Sequence, residues 1–218
     1  MKILHLQPRG WGFSFKDLLV VLAVAALVVF LFPVTGHLRA KRIALRTQCL
    51  GNLKGVGIVL WIWANEHEQK FPMAVSTNKG GSLELKESGE MFRHFLVLSN
   101  TLTAPEKVLA CPADPPRHKL VFVSRSLSNS NISYFLGIDA DPRNPTAIVS
   151  GDRNITGGTM KGALMLFSSN SAAAWGSEIH HHAGNIGLAD GSAQAVPSDE
   201  LRRQIQASTN SPIRLAIP

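Results

Sequence analysis

The first clear pattern in the chain is an apolar run near its start. No charged residue occurs from Leu18 to Val34. As a helix rising about 1.5 Å per residue, this run spans roughly 25 Å, and flanking residues can extend it towards the about 30 Å core of a bilayer. The pattern predicts a membrane anchor. A cleaved secretory signal is disfavoured, because the run is long and residues 33–37 form a poor cleavage site.

The second pattern is an apolar stripe at helical spacing. Steps of three and four residues connect its members, so the helix is predicted to continue from Gly36 to about Gln69 with one face buried. Glycines in this segment weaken a helix but would also permit close packing against a sheet. The members of the stripe are Leu45, Cys49, Leu53, Val56, Leu60 and Trp63, and the glycines are Gly51, Gly55 and Gly57.

The third pattern consists of short apolar strings between turn residues. It predicts an antiparallel sheet. A short helix is expected around Glu90–Leu98. Asp190-Gly191 predicts a tight hairpin with positive φ at both residues. The strings are Val108–Cys111, Leu120–Val123, Ile132–Leu136, Ala147–Val149 and Ala163–Phe167.

The last part of the chain is predicted to hold one more helix and a tail. Ser198 is expected to cap the helix, with Asp199 and Glu200 favourably placed in its first turn. The residues from about Ser208 are expected to form a loose tail. Taken together, the patterns predict an α+β fold. A long N-terminal helix, transmembrane in its first half, packs on a small antiparallel-sheet domain.

Composition narrows the class of protein. The 218 residues are 45% hydrophobic and 17% charged, which disfavours wholesale disorder and leaves one globular domain beside the anchor. The formal net charge is +7, and several basic residues flank the apolar run, as expected beside a bilayer. Stacked aromatics and RNP-like strings are absent, so no nucleic-acid partner is expected. The flanking basic residues are Lys2, Arg9, Arg39, Lys41, Arg42 and Arg46.

The residues at the start of the apolar run carry a resemblance to a known family. Gly12-Phe13 followed by "SFKDLLVV" resembles the leader junction of type IV prepilins and type II secretion pseudopilins. The resemblance implies cleavage after Gly12 by a prepilin peptidase and N-methylation of Phe13. It also implies an assembly ion pair between Asp17 and the freed amine of a neighbouring subunit. Aspartate replaces the family's glutamate, and Lys16 stands where the family has an apolar residue.

Further motifs are similar to those of a large pseudopilin-like family. "CLGNLKGVG" is similar to its C-x-N-N-L-K-x-I-G stretch, "CPADPP" resembles its C-P-x-D element, and His180 precedes Asp190-Gly191 with the family's H-x9-D-G spacing. Four motifs in the expected order make the resemblance specific. The matching residues are Cys49, Asn52, Leu53, Lys54, Gly57, Cys111, Pro112, Asp114, His180, Asp190 and Gly191.

The resemblance also divides the chain. It implies a leader over 1–12, a transmembrane helix over 13–36, an extracytoplasmic continuation over 37–69 and a pilin-like globular domain over 70–218. The location implied is the inner membrane, crossed once, with a short cytoplasmic N-terminus and a periplasmic domain. Two alternatives remain open for Cys49 and Cys111. They form a disulfide if the domain lies outside the cytoplasm, or they remain two buried thiols.

Candidate chemistry is sparse. The triplet His180-His181-His182, with Glu178 or Asp190, suggests a metal site, but its spacing matches no motif with a known mechanism. His180 is instead expected to make a structural hydrogen bond under the hairpin. Gly151–Asn154 and 139–141 offer oxygen ligands for calcium without EF-hand spacing. No nucleophile motif or phosphate loop is present, so neither an enzyme nor a cofactor is expected.

The function predicted from the sequence is structural. The chain is expected to be a pseudopilin-like subunit of a type II secretion or type IV pilus-like assembly. Its partners would be a prepilin peptidase, other pilin-like subunits and the lipid bilayer. Two alternatives remain, namely a membrane-anchored periplasmic binding module that does not assemble and an anchored metal-dependent enzyme.

Overall fold

The computed structural model describes residues 12, 14–102, 108–114, 117, 127–208 and 212–218, and for residues 31–38 it describes the backbone alone. By their contacts the residues fall into two compact units, one ending at Lys41 and one running from Arg42 to Pro218. The predicted first mature residue, Phe13, and the predicted strand over 120–123 lie outside the described residues.

Three α-helices and nine strands make up the described chain. The helices are α1 (Phe15–Glu66), α2 (Phe92–Leu96) and α3 (Ser198–Ala207), and four 3-10 turns lie at Pro72–Ala74, Thr77–Lys79, Leu83–Leu85 and Asn129–Asn131. The strands are β1 (Tyr134–Gly137), β2 (Ile148–Asp152), β3 (Ile155–Thr156), β4 (Thr159–Lys161), β5 (Leu164–Phe167), β6 (Ala174–Trp175), β7 (Gly184–Leu188), β8 (Ala193–Val196) and β9 (Ile213–Ala216).

Seven of the strands form one antiparallel sheet in the order β4-β5-β9-β1-β2-β7-β8, and β3 pairs with β6. Successive residues of a strand point to opposite faces of a sheet. Accordingly, Leu136 joins a core cluster with the buried stripe of α1, whereas Phe135 joins a second cluster with Leu201 and Ile205 of α3. The sheet of this α+β fold is therefore covered by a helix on each face.

The predicted stripe on α1 is buried against the sheet from Cys49 onwards, and the helix ends at Glu66. Of the three glycines, Gly57 makes the closest approach to another element. A Cβ placed there would lie 3.2 Å from the Cα of Gly191, whereas a Cβ at Gly51 would meet nothing within 4 Å. The glycine at 57 thus lets the helix backbone rest on the β7–β8 hairpin, and Trp61 Nε1 donates to Ala189 O nearby at 2.7 Å.

The predicted transmembrane first half of this helix is wrong. Among the residues that the structure describes, no helix is both long and apolar enough to cross a membrane. The same finding contradicts the predicted location as a single-pass inner-membrane protein.

Three further predictions differ from the structure. Val108–Cys111 is not a strand, because Val108 is helical and Leu109 and Ala110 form a bend. Pro197 occupies the cap of α3, while the Ser198 hydroxyl accepts from the Trp175 N–H at 3.1 Å. The expected loose tail contains β9, which pairs with both β5 and β1. β9 holds only four residues, too few for its alternation to stand out in the sequence.

Candidate functional site

Cys49 and Cys111 meet as a disulfide in the interior. Cys49 lies on the buried face of α1 and Cys111 begins the turn before Asp114, with the two Cα atoms 5.1 Å apart. His180 Nε2 lies 3.5 Å from Cys111 Sγ. The disulfide is thus one of the two alternatives that the sequence left open, and the fold places a histidine directly beside it.

His180 reaches this position through an unusual turn. It and the next two histidines all have positive φ, between 51° and 61°, which costs roughly 1–2 kcal/mol for each residue other than glycine. The turn directs the His180 side chain inward, where 3% of it is exposed, and leaves His181 and His182 at the surface. Asn154 holds the turn because its Nδ2 donates to the carbonyls of Gly176, Ile179 and Ala183.

A buried aspartate completes the cluster. Asp152 at the end of β2 is fully buried, and its Oδ2 accepts from the backbone N–H of Asn185 at 2.7 Å and from Asn185 Nδ2 at 3.0 Å. The same oxygen lies 3.5 Å from His180 Nε2. Within the described part of the chain, Asp152 Oδ1 has no hydrogen-bond partner. A buried carboxylate with an unused oxygen is costly, which marks the cluster as a candidate site.

Burial dominates the electrostatics of this cluster. It raises the pKa of Asp152 to about 7, against the opposing effects of the Asn185 hydrogen bonds and the nearby charge of Arg46. Burial, followed by the charge of Arg46, lowers the pKa of His180 to about 4. His180 is therefore neutral at pH 7, and its contact with Asp152 is not an ion pair there. Arg46 itself donates through Nη2 to Gly184 O at 3.2 Å.

The C-P-x-D residues form a turn tied to the sheet. The Asp114 N–H donates to Cys111 O at 2.9 Å, and Pro112 lies between them, partly buried. The Asp114 carboxylate, 1% exposed, receives two hydrogen bonds from Arg153, at 2.8 and 3.0 Å. Arg153 also donates to Glu178 at 2.6 Å, next to the histidine turn. This network fixes Cys111 in front of His180.

The remaining motif residues lie near the disulfide or at the contact between α1 and the β7–β8 hairpin. Asn52 Nδ2 donates to Ala110 O at 3.3 Å, and Lys54, two residues further along α1, is exposed. At the hairpin, Gly191 alone has positive φ, 81°, whereas the sequence predicted it for Asp190 as well. The Asp190 side chain accepts from the Ser192 N–H at 2.8 Å. The inner motifs, far apart in sequence, thus converge on the disulfide and on the contact between α1 and the hairpin.

The residues of the predicted leader junction lie at the start of α1. Gly12 is exposed. Asp17 Oδ2 accepts from the Ser14 N–H at 2.9 Å, and Ser14 Oγ accepts from the Lys16 N–H at 3.3 Å. The carboxylate proposed for an intersubunit ion pair therefore caps the first turn of its own helix, as a residue at the third helical position does in a capping box.

The side chains that the sequence offered as an alternative metal site are not brought together as a set among the described residues. Over the described ranges, the one group of three or more ligating side chains is Cys49, Cys111 and His180, whose ligand atoms lie within 4.8 Å of one another. Its sulfurs are bonded to each other, so neither is a thiolate ligand in this state. Of the oxygen ligands suggested for calcium, Asp139 pairs with Arg214 and Lys86 and Asp141 pairs with Arg143, whereas Asp152 lies beside His180.

Sequence reasoning did not single out Asn185, and it gave Asp152 and Arg46 other roles, as a possible calcium ligand and as a charge beside a bilayer. Asp152 is the last residue of β2 and Asn185 is the second residue of β7, and both lie among buried residues of their strands, so no spacing of polar residues distinguishes them. Comparison of the chain with protein-family models, with curated proteins and with solved structures finds no match.

Proposed function

We propose that this chain is a pilin-like structural subunit that assembles with other pilin-like chains through the first part of α1. The observation that carries the proposal is the exposed apolar surface of this helix. Its large side chains from Leu18 to Phe30 are between 44% and 75% exposed. Large exposed apolar surfaces mark sites of association.

The arrangement of these side chains favours a bundle of like helices as the partner. Leu18, Leu19, Val20 and Val21 follow one another at about 100° per residue, so the apolar surface goes fully round the helix. A single docking groove covers one side only. Neighbouring copies of the same helix cover every side, and apolar helices that pack in this way bury matching surfaces.

The start of α1 supplies a specific contact for this assembly. Among described residues, Asp17 uses only Oδ2 to cap its own helix, which leaves Oδ1 to accept from a neighbouring subunit. We infer that cleavage after Gly12 frees the amine of Phe13 as that partner, as the resemblance to prepilins suggests. The inner motif residues support a structural role, because they hold the disulfide, the Cys111–Asp114 turn and the hairpin together.

Site-specific photo-cross-linking of the full chain in its native cell tests the assembly. A photoreactive residue at Val20 or Val29 is expected to cross-link to other copies or to pilin-like partners. The matched control is Met160 in β4, which is also apolar and 56% exposed but lies on the sheet. Cross-links of equal yield from all three positions, or none from α1, would contradict the proposal.

Asp17 gives a second arm of the same experiment. Asp17→Ala is expected to lower the α1 cross-links about fivefold or more, and Asp17→Glu to retain them, because the ion pair needs a carboxylate. Mass spectrometry of the mature N-terminus tests the processing separately. A chain beginning with methylated Phe13 is expected, and an intact Met1 would exclude the peptidase as a partner.

A further inference from the structure

We propose that Cys49, Cys111 and His180 form a binding site for one Zn²⁺ ion when their disulfide is reduced. The site goes beyond the assembly role and does not depend on it. Thiolate and imidazole are the ligands that zinc prefers in proteins, and three protein ligands leave a fourth position for water or a further side chain.

The distances suit a tetrahedral zinc site. With zinc–sulfur bonds of about 2.3 Å and zinc–nitrogen bonds of about 2.0 Å, a sulfur and a nitrogen ligand lie about 3.5 Å apart, and two sulfurs about 3.8 Å. His180 Nε2 is 3.5 Å from Cys111 Sγ. All three ligand atoms lie within 4.8 Å of one another. The Cα atoms of the cysteines are 5.1 Å apart, so side-chain rotation alone can open the two sulfurs to the required spacing.

The backbone fixes each ligand from a different element. Cys49 projects from the buried face of α1, and Cys111 begins a turn that Arg153 holds through Asp114. His180 occupies the strained turn that Asn154 fixes through three carbonyl contacts. Backbone strain in residues other than glycine concentrates at functional sites. Here the strained turn places the imidazole of His180 beside both sulfurs. A histidine ligates a metal through its neutral imidazole.

The charges around the cluster also suit a divalent cation. Two thiolates balance the charge of Zn²⁺. Asp152, beside His180 Nε2 at 3.5 Å, adds a carboxylate whose Oδ1 has no partner among the described residues. A zinc-bound water at the fourth position would offer this carboxylate a hydrogen bond. Arg46, which donates to Gly184 O nearby, balances the carboxylate.

Reduction of the disulfide and binding of zinc are two separate steps, and electrons and protons balance in each. A dithiol reductant gives two electrons and two protons to the Cys49–Cys111 bond, which yields two thiols and leaves the reductant as its own disulfide. Zn²⁺ then displaces the two thiol protons to solution as it binds both sulfurs and His180. The cluster therefore holds either a sulfur–sulfur bond or a zinc ion, according to the supply of reductant.

The test is zinc binding by the full chain before and after reduction. A water-soluble phosphine, which becomes its oxide by taking oxygen from water, reduces the disulfide without competing as a thiol ligand. Under exclusion of oxygen, zinc is then titrated in competition with a chromophoric chelator. Co²⁺ serves as a spectroscopic probe. We expect the oxidised chain to bind no zinc at the cluster and the reduced chain to bind one equivalent, with thiolate-to-cobalt absorption for Co²⁺.

Variants separate this site from unspecific binding. His180→Ala is expected to weaken zinc binding at least tenfold, and Asp152→Asn to weaken it less. His182→Ala is the matched control, because His182 is exposed in the same turn, and its affinity should equal that of the unchanged chain. A reduced chain that binds no zinc, or one whose affinity survives His180→Ala, would overturn the proposal.

Circular dichroism covers the case in which reduction loosens the fold. If the reduced chain loses ellipticity, one equivalent of Zn²⁺ is expected to restore it in the unchanged chain and in His182→Ala, but not in His180→Ala. Restoration by zinc in all three chains, or in none, would equally overturn the site.

Discussion

At the scale of single residues, the fold buries the ionisable side chain of His94 away from the disulfide. His94 is 1% exposed, and its Nδ1 lies 2.7 Å from the hydroxyl of the buried Ser82. Burial, followed by the charge of Lys86, lowers the pKa of His94 to about 4 from 6.5. Protonating this ring in the folded state leaves a buried charge without a carboxylate partner among the described residues.

This shift predicts a pH dependence of stability. Between pH 6.5 and 4 the unfolded chain binds a proton at His94 that the folded chain does not, so stability falls as the pH falls through this window. The free energy of unfolding lost through protonation of His94 in this window is about 3 kcal/mol. Above pH 7, His94 should cause no pH dependence of the free energy of unfolding. Urea unfolding from pH 4 to 8, compared with His94→Gln, measures it. If the free energy of unfolding changes equally with pH in both chains, His94 does not titrate in this window.

The residue scale also shows why part of the site could not be predicted. His180 was expected to make a structural contact under the hairpin, and its partners turn out to be Cys111, Asp152 and Asn185. The H-x9-D-G spacing marks the histidine but does not say what it faces. Asp152 and Asn185 meet across β2 and β7, and a pairing between strands leaves no mark in the local sequence.

At the scale of secondary-structure elements, α1 is fixed to the sheet by a close backbone contact. The helix is predicted well from the sequence in its buried part, because a stripe at steps of three and four is a local property. Which glycine of the segment makes the contact is not local. It depends on the β7–β8 hairpin, whose Gly191 Cα lies 3.2 Å from a Cβ built at position 57.

Substitutions at two glycines of the same helix should therefore have opposite effects. Gly57→Ala is expected to lower the free energy of unfolding by about 1–3 kcal/mol, because its methyl group meets the hairpin backbone. Gly51→Ala meets nothing and should raise it by roughly 0.5–1 kcal/mol through better helix propensity. Chemical denaturation of the full chain checks both. A stabilised Gly57→Ala would mean that the helix can withdraw from the hairpin at no cost.

At the scale of the whole molecule, the disulfide links two parts of the domain that are distant in the chain. Cys49 and Cys111 are 62 residues apart, and the link joins α1 to the turn that begins at Cys111. The covalent bond keeps a loop of this length closed in the unfolded chain. It thereby lowers the conformational entropy of the unfolded chain and stabilises the folded domain relative to it. The pairing itself was left open by the sequence, since two cysteines define no framework.

Removing the disulfide should weaken the domain substantially. The chain-entropy relation gives about 4 kcal/mol for a 62-residue separation, so Cys49→Ser with Cys111→Ser should lower the free energy of unfolding by about that amount. Denaturation with a metal chelator present measures it without any contribution from zinc. A double variant as stable as the unchanged chain would show that packing around Leu53 and Tyr134 holds this region together by itself.

The position of β9 has a consequence for biosynthesis. The strand joins β5 on one side and β1 on the other, so the pair β4–β5 reaches the rest of the sheet only through it. A ribosome makes the residues of β9 after both of the strands that β9 pairs with. Until they emerge, the nascent chain exposes two separate sheet edges, both open to pairing with other chains. Completion of the sheet therefore waits until β9 has emerged, and the nascent chain depends on protection from other chains until then.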